Sequence, residues 1–172
     1  TVLFTYGGNK TDIRDAMGNV TSLHFDAQNR IEEVKSPLVN GARSTTFYEY
    51  HGDHTKSISK VTDANGNSVT YDYNEDGNLT YQRDQVGNVI ERTYNSNNKL
   101  ETETVYTTPD PDGDGSAQPS NPLTTRYVYY PSGYLAFTID GEGGVTMHNW
   151  ENSKGELVRT TQFTSSKYDI SG

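Results

Sequence analysis

The chain has 172 residues, 31% of them hydrophobic, and a formal net charge of -9. Ordinary globular chains reach about 45–50% apolar by a count that includes Gly, so a large dense core is excluded, and no stretch approaches the roughly 20 apolar residues of a membrane-spanning helix. The acidic balance lacks the basic stripe that phosphate contacts require, so nucleic acid and membrane insertion are excluded as expectations, and with zero Cys there are no disulfides or thiolate metal sites.

Tyr supplies 13 residues, beside 5 Phe and 1 Trp. A disordered chain is poor in aromatics, so the sequence predicts a folded, β-rich protein. From the N-terminus, Thr1-Val-Leu-Phe-Thr-Tyr6 already alternates as a strand does, with neither an initiator Met nor a signal peptide before it. It reads as a segment of something longer. Leu23 and Phe25 mark the next alternating run. Ser36-Pro-Leu-Val-Asn-Gly41 is a longer turn, Phe47, Tyr48 and Tyr50 form an aromatic strand, and His51-Gly-Asp-His54 extends the turn after it. Val69, Tyr71 and Tyr73 alternate with Thr70 and Asp72, followed by Leu79 and Tyr81. Thr, Tyr and Val suit a pleated surface. Thr107 to Pro122 is a Pro- and Asp-rich loop insertion, after which Tyr127 and Tyr129 resume the alternation. No window holds the apolar period of a helix.

A repeat organises these runs. Asp-x-x-Gly occurs at Asp15/Gly18, Asp63/Gly66, Asp84/Gly87 and Asp140/Gly143. Seven residues after each of these Gly residues comes an aromatic, namely Phe25, Tyr73, Tyr94 and Trp150. A second turn follows each aromatic at Asn29, Gly77, Asn98 and Gly155, with Ile31, Leu79, Leu100 and Leu157 two residues on. Asp opens a tight turn by capping backbone amides with its side chain, and Gly or Asn three residues later accepts φ > 0. Steps between turns are 10 to 12 residues and two steps make a repeat of about 21. The expectation is a single 1–172 all-β region, an antiparallel β-meander of about fourteen short strands.

Tyr71-Asp-Tyr-Asn-Glu-Asp-Gly-Asn-Leu79, then Asp84-Gln-Val-Gly-Asn88 and Thr93-Tyr94-Asn95, resembles the YD (Tyr-Asp) repeat of Rhs-type proteins, as does Phe25-Asp26 with Asn29-Arg-Ile31. That family includes bacterial polymorphic toxins, the shell subunits of insecticidal ABC toxin complexes, and teneurins. The resemblance implies hairpins joined into a curved, open or spiralling sheet that forms part of a β-shell. It further implies a secreted or cell-surface bacterial protein whose partners are flanking repeats and an enclosed or C-terminal effector domain of the same polypeptide. The family's repeat-associated core motif, self-cleavage segment and effector are absent from these residues, so the likeness is to the passive wall. End strands of such a sheet expose unpaired backbone and invite an edge-strand homodimer.

Several residues qualify as candidate sites. Asp110, Asp112 and Asp114 have the 1, 3, 5 spacing of a calcium loop, with Gly115 at position 6 and the Ser116 carbonyl at position 7. Three adjacent carboxylates repel one another unless a hard cation such as Ca2+ neutralises them. Position 12 is Asn121, where a bidentate Glu belongs, and the alternative is an ion-free acidic loop. His51, Asp53 and His54 form a weaker metal candidate without a distant third ligand, and His24 and His148 read as sheet-surface residues. Tyr127, Tyr129, Tyr130 and Tyr134 form a possible glycan-stacking patch, with Phe47, Tyr48 and Tyr50 second. Cross-strand packing uses the same rings. The sequence contains no Gly-x-Ser-x-Gly elbow, His-Glu-x-x-His or Cys nucleophile, and its Asp residues recur at turns, so a non-enzyme is expected. The alternative function is an adhesion or carbohydrate-binding module stabilised by calcium.

Overall fold

The computed structural model describes residues 1–52, 56–110, 119–151, 154–163 and 167–170. These contain strands, turns and no helix. Among the described residues fourteen strands follow one another in chain order in an all-β meander that does not return to the first strand, and consecutive strands within each of the two units below pair antiparallel. The chain divides into two compact units, Thr1–Asp72 and Tyr73–Gly172.

The first unit carries β1 (Leu3–Gly7), β2 (Lys10–Arg14), β3 (Val20–Phe25), β4 (Ile31–Lys35), β5 (Thr45–Tyr50), β6 (Ile58–Thr62) and most of β7 (Ser68–Tyr73). Because side chains alternate across a strand, the pairing register sorts them between two faces. Leu23, Val34, Thr46, Tyr48, Val61 and Val69 share one uncharged face. Asp12, Ser22, Glu33, Phe47, Glu49 and Lys60 share the other. There, Lys60 pairs with Glu49 at 3.2 Å and Lys35 with Glu33 at 2.8 Å, and the hydroxyl of buried Ser22 donates to Asp12 at 2.6 Å.

The second unit carries β8 (Leu79–Asp84), β9 (Val89–Tyr94), β10 (Leu100–Thr108), β11 (Ser120–Tyr129), β12 (Leu135–Ile139), β13 (Val145–Glu151) and β14 (Glu156–Phe163). Among its described residues the buried apolar ones are Val89, Ala136 and Ile139. Three small or medium side chains are what a chain with so few apolar residues can shield. The strands also reach into the Pro-rich stretch: β10 runs to Thr108 and β11 starts at Ser120, with Tyr106 opposite Pro122. β12 pairs with β11 only from Arg126 onward, so at Pro122 β11 has β10 as its one neighbour, the edge position to which a strand Pro is confined.

Candidate functional site

The repeated residues build two kinds of hairpin end. In the first, Asp15, Asp63, Asp84 and Asp140 each open a tight turn in which the Gly three residues on donates its N–H to the Asp carbonyl at 3.0–3.1 Å. The carboxylate closes the same turn from within. Asp84 Oδ1 accepts the Val86 and Asn88 amides at 3.0 and 2.9 Å, and Oδ2 accepts the Asn88 side-chain amide at 2.7 Å. Asp15 with Met17 and Asn19, and Asp63 with Asn65 and Asn67, repeat the pattern. At Asp140 the fifth position is Gly144, whose amide donates to Oδ1 at 2.7 Å. These bonds favour the ionised form. The Asn19 and Asn67 side-chain amides hold Asp15 and Asp63 below the ordinary carboxylate range. At Asp84 partial burial opposes ionisation, yet the bonds from Asn88, Val86 and Gly87 outweigh it and the net shift is downward. The turn positions Gly18, Gly66, Gly87 and Gly143 have φ of 83–89°.

The second kind follows an aromatic and contains a bulge. Phe25 pairs with Ile31 while His24 pairs with Glu33, leaving Glu32 extra. The same step leaves Ser59, Glu101, Ala136 and Val158 extra after Tyr50, Tyr94, Tyr129 and Trp150. A bulge disrupts the ladder locally and strengthens the twist, so the backbone around it needs other partners. At four strand starts the aromatic near the end of the following strand supplies one. Tyr50 donates its hydroxyl to the Ile31 carbonyl at 2.7 Å, Tyr94 to Leu79 at 2.8 Å and Tyr129 to Leu100 at 2.8 Å, and Trp150 donates its indole N–H to Leu135 at 2.7 Å. In each case the acceptor is the first residue of the preceding strand. The residue just before that acceptor packs on the ring in three of the four. The Arg30 guanidinium sits 4.3 Å from the Tyr50 ring centre, the Lys99 ammonium 5.4 Å from Tyr129, and Tyr134 stacks on Trp150 at 5.1 Å. The hairpins begun by β5, β9, β11 and β13 are thus each fastened to the strand before them by an aromatic latch. Sequence reasoning registered Tyr94 and Trp150 as repeat markers but missed Tyr50 and Tyr129 as members of the same series. Their signal was present: each precedes a turn and ends the strand that follows the one opened by Ile31 or Leu100.

The Tyr residues singled out as a glycan patch gather around the hairpin between β11 and β12. Tyr130, Pro131, Ser132, Tyr134, Asn149 and Trp150 line a hollow of about 480 Å³. A second, of about 390 Å³, shares Tyr130 and Pro131 and is lined by Tyr127, Tyr129, Lys99 and Asn97. All four Tyr residues are half-buried. Burial lifts the Tyr127 and Tyr129 phenols above their ordinary value. Tyr130 donates to the His148 carbonyl at 3.3 Å. Phe47 and Tyr48 are neighbours on β5 with opposite-face register, and both border a further hollow of about 610 Å³ together with Glu32, Glu33, Glu49 and Thr62. Elsewhere Tyr106 donates to Glu91 at 2.7 Å, and this carboxylate pushes its phenol up to about 12.

Of the calcium candidates, Asp110 is described and buried, with Asp112, Asp114 and Ser116 outside the described residues. The Asp110 backbone is clamped: its N–H donates to the Gly87 carbonyl at 2.8 Å, and its own carbonyl accepts Arg83 Nη2 at 2.7 Å and Nε at 3.2 Å. The base of the insertion is thereby tied to the Asp84 turn. Asp53 and His54 also lie outside the described residues, and His51 Nε2 lies 2.7 Å from the Tyr71 carbonyl. His24 faces Glu33 at 3.6 Å and His148 bonds Thr138 at 3.0 Å, both on the sheet surface. Among the described residues no cluster of three His, Cys, Asp or Glu is arranged to hold a metal, and no helix is long and apolar enough to cross a membrane.

No protein-family model and no curated protein matches the chain. Solved structures do. A Tc holotoxin pore of Photorhabdus luminescens, carrying a mutation in TccC3, aligns over 94% of this chain at 16% identity with a TM-score of 0.51. A TcdB2–TccC3 crystal structure aligns over 99% at 11% identity with a TM-score of 0.48. The chain spans about a tenth of the length of these toxin chains, 10% and 11% respectively. At such identities the likeness to the holotoxin chain is one of fold.

Proposed function

We propose that this chain is a wall segment of a YD-repeat shell, a non-enzymatic structural module of a large Rhs-type bacterial protein that is secreted or displayed on the cell surface. Its partners are the flanking repeats and a domain of the same polypeptide that the shell encloses or presents. The observation that carries this reading is the aromatic latch. Four aromatics near strand ends, Tyr50, Tyr94, Tyr129 and Trp150, are spent on fastening hairpin to hairpin. The recurrent Asp residues are spent on closing turns. Groups committed to internal bonds at every repeat serve shape, and the fold likeness to a toxin chain agrees with that use. The test is limited proteolysis of the parent polypeptide. A domain enclosed by the repeats is cut far more slowly than the same domain expressed alone, and equal rates reject the wall reading.

A second reading, glycan binding, is favoured by the two adjoining aromatic hollows around Pro131. Flat rings beside Asn149 and Asn97 suit stacking on a sugar with hydrogen bonds to its hydroxyls. A glycan array with no hits, on protein shown to be folded, removes it.

A further inference from the structure

Two of the Asp-x-x-Gly turns do more than reverse the chain. Each holds an extended segment by the carbonyl of its positive-φ Gly. The Asp110 N–H donates to the Gly87 carbonyl at 2.8 Å, and the Tyr168 N–H to the Gly143 carbonyl at 2.8 Å. Gly87 and Gly143 are buried, whereas Gly18 and Gly66 are exposed. In both filled turns the segment leaves the strand next after the hairpin, β10 for the β8–β9 turn and β14 for the β12–β13 turn. At the Asp84 turn the grip has two parts, because Arg83 also donates Nη2 and Nε to the Asp110 carbonyl. The sequence of that turn, Arg83-Asp-Gln-Val-Gly-Asn-Val89, has one counterpart, Arg14-Asp-Ala-Met-Gly-Asn-Val20. There Arg14 and Gly18 are both exposed, and Arg14 Nη1 folds onto the Gly18 carbonyl at 3.3 Å. By the internal rule the β4–β5 connection would fill this grip. Instead it closes on itself, with Ser36 bonded to Ser44 at 2.8 Å and Val39 to Ala42 at 2.9 and 3.0 Å, and its Leu38 and Val39 are 60% and 67% exposed. The open grip is therefore set by chain that is present on both sides of it.

We propose that the Arg14–Gly18 turn is a docking site for an extended Pro-Asp-Pro segment of a partner protein, gripped as Arg83 and Gly87 grip Asp110. The chemistry of the occupant is read from the filled turn. Asp110 lies between Pro109 and Pro111. A residue before Pro is kept out of the helical region and stays extended, and Pro109 brings no N–H of its own. The segment thus presents one N–H and one C=O on a stiff backbone that loses little freedom on docking. The partner's Asp N–H bonds to the Gly18 carbonyl and its C=O accepts from the Arg14 guanidinium, which gives up its bond to Gly18. The grip belongs to a single hairpin, so this inference stands apart from the shell reading, which proteolysis of the parent tests separately.

The experiment is an NMR titration of the 15N-labelled chain with a capped peptide of the sequence Thr107–Asp112, to about 10 mM. The amides from Arg14 to Asn19 and the Arg14 Nε–H shift together and saturate, with a dissociation constant of about 1 mM, the scale on which a tethered segment is presented to its site. The amides from Asp63 to Asn67 stay in place, because Thr62 stands where the grip needs Arg. Arg14→Ala weakens binding at least about tenfold, the worth of hydrogen bonds from a charged group, and its unchanged spectrum beyond the turn shows that it is folded. A peptide with Ala for both Pro binds about two- to fivefold more weakly, since its free form is less extended. Four results overturn the proposal. The first is no shift up to the highest peptide concentration. The second is a dissociation constant that Arg14→Ala leaves unchanged. The third is shifts confined to Arg83–Asn88, where the peptide merely competes with Asp110. The fourth is equal binding of the Ala peptide, which removes Pro-Asp-Pro as the occupant.

Discussion

Replacing Tyr94 with Phe removes one oxygen and leaves the ring in place. The Tyr94 hydroxyl donates to the Leu79 carbonyl at 2.8 Å, across 15 residues of sequence. The net worth of such a bond is about 0.5–1.5 kcal/mol, and stranding its partner adds to the loss only insofar as water cannot reach it. Both residues are half-buried, so the cost is about 1 kcal/mol. For a chain of this size that lowers the melting temperature by roughly 2–4 °C. Trp150 is the single Trp and lies in the same unit as Tyr94. Its fluorescence therefore follows the relevant transition in urea. Tyr50→Phe removes the equivalent bond in the first unit, and the two losses add because the sites share no partner. Tyr168→Phe, at a residue 53% exposed, is the control. Should Tyr94→Phe and Tyr168→Phe unfold at the same urea concentration, the latch contributes nothing and the reasoning behind it fails.

Gly77, with φ of 82° and open space around its Cα, is expected to tolerate Asn far better than Val, since Asn29 and Asn98 fill the matching turn position at 60° and 57°. Gly77→Val costs about 1–2 kcal/mol in a urea titration, and equal midpoints for the two variants contradict the turn assignment. Asp15, Asp63 and Asp84 titrate below their ordinary value when folded, so the stability they supply is present above the unfolded value of about 3.9 and drains away as pH falls through the lower folded values. The combined Asp15→Asn, Asp63→Asn, Asp84→Asn variant has a flatter acid-unfolding curve, read by circular dichroism, and an unchanged curve refutes this. If the Asp110 to Ser116 loop binds calcium, millimolar Ca2+ raises the melting temperature and Asp112→Asn abolishes the rise. No calorimetric signal with the wild type retires the site.

The turns were legible because their chemistry is local. Asp15 and Asn19, or Asp63 and Asn67, are four residues apart and make their bonds whatever surrounds them. The eight Gly and Asn positions read from spacing, from Gly18 to Gly155, all adopt φ between 57° and 89°. The alternation of Val69, Tyr71 and Tyr73 marked a strand for the same reason, since a period of two needs no partner to be read. Tyr129 was legible as a strand residue and invisible as a latch, because its acceptor, Leu100, lies 29 residues away across the Pro-rich insertion.

The amino-acid order by itself thus determined where this chain reverses and which side chains share a face, because both follow from backbone preferences over a few residues. Only the tertiary structure decided that the reversals after Phe25, Tyr50, Tyr94, Tyr129 and Trp150 carry a bulge, that three of these bulges are capped by Tyr50, Tyr129 and Trp150, and that Asp110 is tied to Arg83 and the Asp84 turn. Those are contacts between hairpins, set by pairing register rather than by neighbours in the chain.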